Sequence, residues 1–137
     1  MGQWPSSNHN DVDQYVGSPF PYVTGSVVVG TTPVEIKFPY VTRWVVVTND
    51  GDSSNGQLRV GFTENGINAN PAAQTNYFLL PSLTGSCSSG RLELKLDRMF
   101  VRADAGTTLC TVLAGYTSIP VGDFPTLTGS ANFTGIG

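Results

Sequence analysis

Alternating apolar and polar positions dominate the middle of the chain. The clearest run is Arg91–Leu96, in which every second residue is a leucine and the residues between them are charged. Val34–Phe38 and Gln57–Thr63 alternate in the same way. This alternation is typical of strands that bury one face and expose the other. No stretch of ten residues has the helical period, so the sequence predicts an all-β protein.

Two other predicted strands are apolar on both faces. Arg43–Thr48 reads RWVVVT, and Asn76–Leu80 reads NYFLL. A strand of a two-sheet sandwich normally buries only its inner face. We therefore expect the outer faces of these two strands to be covered, either by an arm of the same chain or by another subunit.

Turn residues divide the central region into about eight strands. Ser26–Gly30 and Thr108–Tyr116 are the first and last of them, and a phase slip at Asp97 and Arg98 predicts a bulge or corner before the strand that contains Met99 and Val101. Eight short strands predict a two-sheet antiparallel sandwich, and the fold class that we expect is a single jelly roll.

An immunoglobulin-like sandwich is the alternative fold. Its Cys–Trp–Cys order is absent, because Trp44 precedes both cysteines. Cys87 and Cys110 are predicted to be free thiols, with a disulfide as the alternative, since their spacing matches no metal or redox motif.

The two ends of the chain differ from the middle. They are rich in Pro, Gly and Ser and show no period, so the sequence predicts an N-terminal arm at 1–23, a sandwich domain at 24–118 and a C-terminal arm at 119–137. Large aromatic side chains are spaced along both arms. Because such side chains bury much area at interfaces, we expect them to anchor the arms on a neighbouring subunit: Trp4, Tyr15, Phe20, Tyr22, Phe124 and Phe133.

The charge content excludes several classes of function. Only 12% of the residues are charged, and the net charge is −3. There is no basic run to follow phosphates, so direct nucleic-acid binding is not expected. No apolar run is long enough for a transmembrane segment. A surface poor in charge favours association with other surfaces.

Catalysis is not expected either. The one histidine, His9, lies in the N-terminal arm beside asparagine and aspartate. A general base needs a fixed pocket and an orienting partner, and the carboxylates are scattered over loops and outward strand positions. We therefore predict no enzyme activity, no cofactor, and no catalytic or metal-binding residues.

The central region resembles the single jelly-roll capsid proteins of viruses. The resemblance covers roughly residues 24 to 118. In size the chain is similar to the small vertex (penton) or minor capsid proteins of large icosahedral DNA viruses. The segments LRVGFTENG at 58–66, NYFLLP at 76–81 and RLEL at 91–94 carry it, as a pattern rather than as one diagnostic motif.

The resemblance implies a virion structural protein with no catalytic residues. Its expected partners are copies of itself, as a pentamer, and other capsid proteins. Its expected location is the capsid of a virion made in the host cytoplasm. A decoration or cement protein that binds a finished shell is one alternative, and a receptor- or glycan-binding knob of a tail or fibre is another.

Overall fold

The computed structural model describes residues 20–51, 55–68, 75–82, 86–126 and 136. Within these ranges the chain forms eight strands, one short α-helix and one 3-10 turn. In chain order they are β1 Phe20–Val29, β2 Val34–Lys37, β3 Tyr40–Asn49, β4 Leu58–Gly61, α1 Glu64–Asn68, β5 Tyr77–Leu80, β6 Cys87–Ser88, β7 Arg98–Ala103, β8 Thr108–Pro120 and the 3-10 turn Val121–Asp123.

The strands form two four-stranded antiparallel sheets. The first sheet has the order β1-β8-β3-β6, and the second has the order β2-β7-β4-β5. Apart from β4 and β5, neighbouring strands in each sheet are not consecutive along the chain, and the chain passes repeatedly from one sheet to the other. This order is that of a jelly roll, so the predicted eight-stranded sandwich is confirmed.

The core lies between the sheets and is filled by alternate residues of their strands. Val45 and Val47 of β3 and Val112 of β8 face Val60 of β4 and Val101 of β7, and all five are fully buried. Burial of an aliphatic side chain of this size contributes about 1.5–3 kcal/mol. The predicted inner faces of the central strands are therefore correct.

The boundary of the first strand differs from the prediction. β1 begins at Phe20 rather than at Ser26, so residues 20–23, which we assigned to the arm, pair with β8. Pro21 suggested a break in the ladder. Because β1 is the outermost strand of its sheet, a missing N–H is tolerated there. At the other end, β8 continues to Pro120 and buries Ile119 completely.

The segment with the clearest alternation is not a regular strand, and this prediction was wrong. Leu92 makes an isolated bridge with Val45, after which the side chain of Thr42 takes over the pairing. Its hydroxyl donates to the Leu94 carbonyl and accepts the Leu96 N–H. β3 is bulged at Thr42, so a continuous ladder cannot form there. The leucines still pack on the core.

The phase slip at Asp97 and Arg98 is a corner, as predicted. Before it, Leu96 bonds to Thr42 of the first sheet; after it, Arg98 begins β7 of the second sheet. The eighth strand of the sandwich is instead β6, Cys87–Ser88, which lies between the predicted strands Asn76–Leu80 and Arg91–Leu96. It pairs with Thr48 and Asn49 at the end of β3.

Candidate interaction surface

The outer side of the first sheet carries apolar side chains in two rows, which are separated by Thr111 and Thr48. The strand register aligns Val23 of β1, Leu113 of β8 and Val46 of β3 in one row across the sheet. A second row pairs Val28 with Leu109. Trp44 completes the surface one row further along β3. We call this surface the apolar face and define it by six residues: Val23, Val28, Trp44, Val46, Leu109 and Leu113.

Much of the apolar face is open to solvent. Val28 is 69% exposed, Val23 67% and Leu113 39%. Trp44 is half-buried, and the guanidinium of Arg91 lies 5.6 Å from its ring centroid. Exposed apolar side chains clustered on one face of a small protein are typical of an interaction site.

The strands under the apolar face are almost free of charge. β1 and β8 contain no charged residue, and β3 contains only Arg43. Two charged side chains approach the sheet: Arg91 lies over the Trp44 ring, and Asp50 accepts a hydrogen bond from Thr111. A partner for this face must therefore be recognised by shape and apolar contact rather than by charge.

A bulge in β1 determines which side of the sheet its later valines face. Thr24 pairs with Val112 and Val27 with Cys110, so Gly25 and Ser26 together oppose a single residue of β8. Ser26 has a positive φ of 54°. The extra residue shifts the in-and-out alternation of β1 by one position. Val27 therefore packs against the core, while Val28 points outward.

An aromatic group lies at one end of the same sheet. The ring of Tyr40 stacks on Tyr116 with centroids 5.5 Å apart, and Phe20 lies 6.3 Å from Tyr116. Phe20 is 58% exposed and Tyr40 is 40% exposed. By the strand register, Phe20 and Tyr116 share the side of the sheet on which Tyr22 and Ala114 lie, so these rings belong to the inner side at the end of the sandwich and not to the apolar face.

The predicted arm anchors occupy different environments. Phe20 is exposed in β1, but Tyr22 turns inward and meets the edge of Phe38 at 5.3 Å. Phe124 is half-buried just after the 3-10 turn, where its N–H donates to the Val121 carbonyl. Trp4, Tyr15 and Phe133 lie outside the described residues.

The outer side of the second sheet is charged and partly covered. Arg59 and Arg102 stand opposite each other on β4 and β7. Arg59 forms an ion pair of 2.7 Å with Asp104, donates to the Ile67 carbonyl at 3.0 Å, and lies 4.4 Å above the Tyr77 ring. Burial, followed by the neighbouring Arg59 guanidinium, lowers the pKa of Arg102.

Helix α1 forms the cover of this second sheet. Its Ile67 is fully buried and approaches Gly61 of β4. Arg102 fastens the end of the helix by donating to the side-chain oxygen of Asn68 at 2.8 Å. The outer face of β5 was expected to be covered throughout. Tyr77 does lie under Arg59, but Leu79 is 43% exposed.

The two cysteines lie on opposite sides of Asn49. Cys87 pairs with Asn49 from β6 and Cys110 pairs with it from β8, so one strand separates them and both are free thiols, as predicted. Burial, with a smaller effect of Asp50, raises the pKa of Cys110 to about 12. Its thiol is therefore protonated at neutral pH and is a structural side chain.

The described part of the chain contains no group of three or more His, Cys, Asp or Glu side chains placed to hold a metal ion. The only histidine, His9, lies outside it. Among the residues that the structure describes, no helix is both long enough and apolar enough to cross a membrane.

Sequence reasoning missed most of the apolar face. Val23 was assigned to the arm, and Val28 and Leu113 were counted only as parts of strands. The signal was present in β8, where Leu109 and Leu113 alternate with the buried Cys110 and Val112.

Comparison with protein-family models, with curated proteins and with solved structures gave no match in any of the three.

Proposed function

We propose that the chain is a virion structural protein, a capsid vertex (penton) or minor capsid component, that assembles with copies of itself and with other capsid proteins. The observation that carries the proposal is the exposed, uncharged apolar face on the first sheet of a jelly roll. The jelly roll is an architecture that viral capsid domains use, although it also serves other functions.

The position of the apolar face suits assembly in a lattice. It spans three neighbouring strands of a rigid sheet, so its residues are held in fixed relative positions. Exposed valine and leucine side chains gain free energy when a partner removes them from water. If each copy uses this patch to bind a different surface of the next copy, the copies form a closed ring when the rotations between them add up to a full turn.

The test compares two exposed leucines on opposite outer faces in the full-length chain. Leu113→Glu places a charge in the apolar face, whereas Leu79→Glu places the same charge on the second sheet, opposite Arg59. The two positions are matched, with exposures of 39% and 43%. Native mass is measured by light scattering, and symmetry by electron microscopy.

We expect a closed five-fold species for the unmodified chain and for Leu79→Glu, and its loss for Leu113→Glu. A trimer would favour a cement protein. An equal loss of assembly in both variants would argue against the apolar face as the interface. If the unmodified chain is monomeric at all concentrations and does not join shells of other capsid proteins, the proposal is wrong.

A glycan-binding knob is the second candidate, because the aromatic group offers exposed rings. Sugars stack on aromatic side chains, and Phe20, Tyr40 and Tyr116 lie side by side. Glycan-array binding that disappears in Tyr40→Ala would support this function. Absence of binding to any glycan would remove it.

A further inference from the structure

Three sequences in the chain place a glycine directly after an aspartate or an asparagine. They are Asp50–Gly51, Asn55–Gly56 and Asn65–Gly66, and we call them the Asx-Gly sites. The glycine nitrogen can attack the side-chain Cγ before it, because glycine has no Cβ to hinder the approach. The attack forms a C–N bond and a succinimide ring, and it expels ammonia from asparagine or water from aspartate together with the proton of the N–H. Water then opens the ring at either carbonyl and leaves aspartate or isoaspartate.

At the first Asx-Gly site the two reacting groups point to opposite sides of the sheet. The carboxylate of Asp50 accepts a hydrogen bond from Thr111 on the outer side. The N–H of Gly51 instead donates at 3.0 Å to the side-chain oxygen of Asn49, which is fully buried. The same oxygen accepts the hydroxyl of Thr108 at 2.6 Å. Attack on Asp50 therefore requires Gly51 to leave a buried and fixed amide.

At the second site the peptide unit between the two residues is held from both sides. The carbonyl of Asn55 accepts the hydroxyl of Ser82 at 2.8 Å, and the N–H of Gly56 donates to the carbonyl of Thr107 at 3.0 Å. A Cβ on Gly56 would lie 2.0 Å from the carbonyl oxygen of Ala105, so the backbone is packed tightly against the turn between β7 and β8. The peptide plane cannot rotate towards the side chain without breaking both bonds.

The third site is held by one side chain. The N–H of Gly66 donates at 3.0 Å to the hydroxyl of Thr63, and that hydroxyl donates in turn to the Ile136 carbonyl. Asn65 itself is exposed to solvent. The nitrogen is therefore engaged here as well, but by a side chain of a short helix rather than by a fully buried amide or by a ladder of backbone bonds.

We propose that the Asx-Gly sites are succinimide-forming modification sites that the fold keeps closed, and that Asn65 is the first of them to react in the folded protein. A site reacts only while its glycine N–H is released, so its rate follows the population of its locally open form. Reaction at Asn65 adds a carboxylate beside the exposed Glu64 and, as isoaspartate, an extra backbone atom. Both changes fall on α1, so this modification would loosen the cover of the second sheet.

The experiment measures the reaction rate at each site in the full-length chain. Folded protein is incubated at mildly alkaline pH, and a parallel sample is incubated in urea to give the rates of the unfolded chain. Peptide mass spectrometry follows the mass gain of deamidation at Asn55 and Asn65. Isoaspartate at Asp50 brings no change of mass, so it is followed by enzymatic methylation of the isolated peptide. The ratio of the folded rate to the urea rate at each site removes differences in intrinsic reactivity.

Three variants test whether the engaged N–H is what closes the third site. Thr63→Val removes the acceptor of the Gly66 N–H, whereas Thr63→Ser keeps a hydroxyl there. Thr107→Val is the matched control, because it makes the same replacement at an exposed residue that holds Gly56 through its backbone carbonyl and not through its side chain.

We expect all three sites to react at least about ten-fold more slowly in the folded chain than in urea, with the highest ratio at Asn65. Thr63→Val should raise the rate at Asn65 about five-fold and leave Asn55 and Asp50 unchanged. Thr63→Ser and Thr107→Val should match the unmodified chain. If Thr63→Val does not fold, the order of the three ratios in the unmodified chain decides.

Three results would overturn the proposal. Equal rates in the folded chain and in urea would show that the fold does not close the sites. A ratio at Asn55 or Asp50 above that at Asn65 would show that another site opens first. An equal acceleration of all three sites in Thr63→Val would show that the hydroxyl acts on the whole fold and not on the nitrogen that it engages.

Discussion

The outer faces of the two sheets are built from opposite kinds of residue. The first sheet exposes valine, leucine and tryptophan with almost no charge. The second carries four of the seven basic side chains, Lys37, Arg59, Arg98 and Arg102, in ion pairs and hydrogen bonds, and is partly covered by α1. The charged face is satisfied within the chain, whereas the apolar face gains only by meeting another surface.

The comparison shows where stability and association are separated in this molecule. Groups on the second sheet lose partners when they are changed, so substitutions there should lower the free energy of unfolding. Groups on the apolar face have few partners within the described residues, so substitutions there should change assembly and leave the fold intact.

The largest effect is expected at Ile67. This residue of α1 is fully buried against β4, so Ile67→Ala should lower the free energy of unfolding by about 3 kcal/mol. Val28→Ala removes a branched side chain from the other outer face and should change it by less than about 0.5 kcal/mol. Urea unfolding of both variants checks this. An equal loss of unfolding free energy in the two variants would contradict the difference between the two faces.

Arg59 should show the next largest effect. Arg59→Gln removes the ion pair with Asp104, the bond to the Ile67 carbonyl and the contact with Tyr77, at a cost of about 2 kcal/mol. Arg91→Gln is the control. Its ion pair with Glu93 is exposed at both ends, so we expect a change of less than about 1 kcal/mol. Thermal melts of the two variants should differ clearly, and similar melting temperatures would contradict the prediction.

Cys110 tests whether the core beneath the apolar face is closed. Its pKa is raised from 9.0 to about 12 in the folded protein, so its contribution to stability is complete below pH 9 and is lost as the pH rises towards 12. At pH 10 the loss should be about 1 kcal/mol. Cys110→Ala should flatten that part of the pH profile of unfolding. A thiol reagent should modify Cys87 first, and fast modification of Cys110 would mean that the sheet opens.

The smallest effect is expected at the bulge between Val23 and Val28. Ser26 adopts a positive φ that favours glycine, so Ser26→Gly should raise the free energy of unfolding by about 1 kcal/mol. Ser26→Ala should not stabilise the protein, because alanine keeps the strain. Association should be unchanged in both variants, since neither alters the apolar face. A loss of stability in Ser26→Gly would show that the serine side chain has a partner worth more than the strain.

Much of the fold was predictable because alternation is a local property. Leu58 and Val60 point inward and Arg59 points outward in any strand pairing that buries one face. The corner at Asp97 and Arg98 was visible as a slip in the same pattern. Leu92, Leu94 and Leu96 show the limit, because their inward faces were predicted correctly but their ladder was replaced by the side chain of Thr42.

The candidate site was less predictable because it depends on which strands become neighbours. Val23 lies beside Leu113, although most of the chain separates them. Tyr22 and Phe20 look equivalent in the sequence, yet one packs against Phe38 and the other is exposed. The cover that α1 gives to the second sheet depends on contacts made through Arg59 and Arg102.

The sequence by itself determined that this protein is an all-β sandwich, with little charge and with apolar residues in phase with the core. These features follow from composition and from the two-residue period of a strand. Only the tertiary structure decided that the outer face of the second sheet is partly covered by α1 while the apolar side chains of the first are exposed. The reason is that pairing between strands distant in the chain determines which elements pack against each outer face.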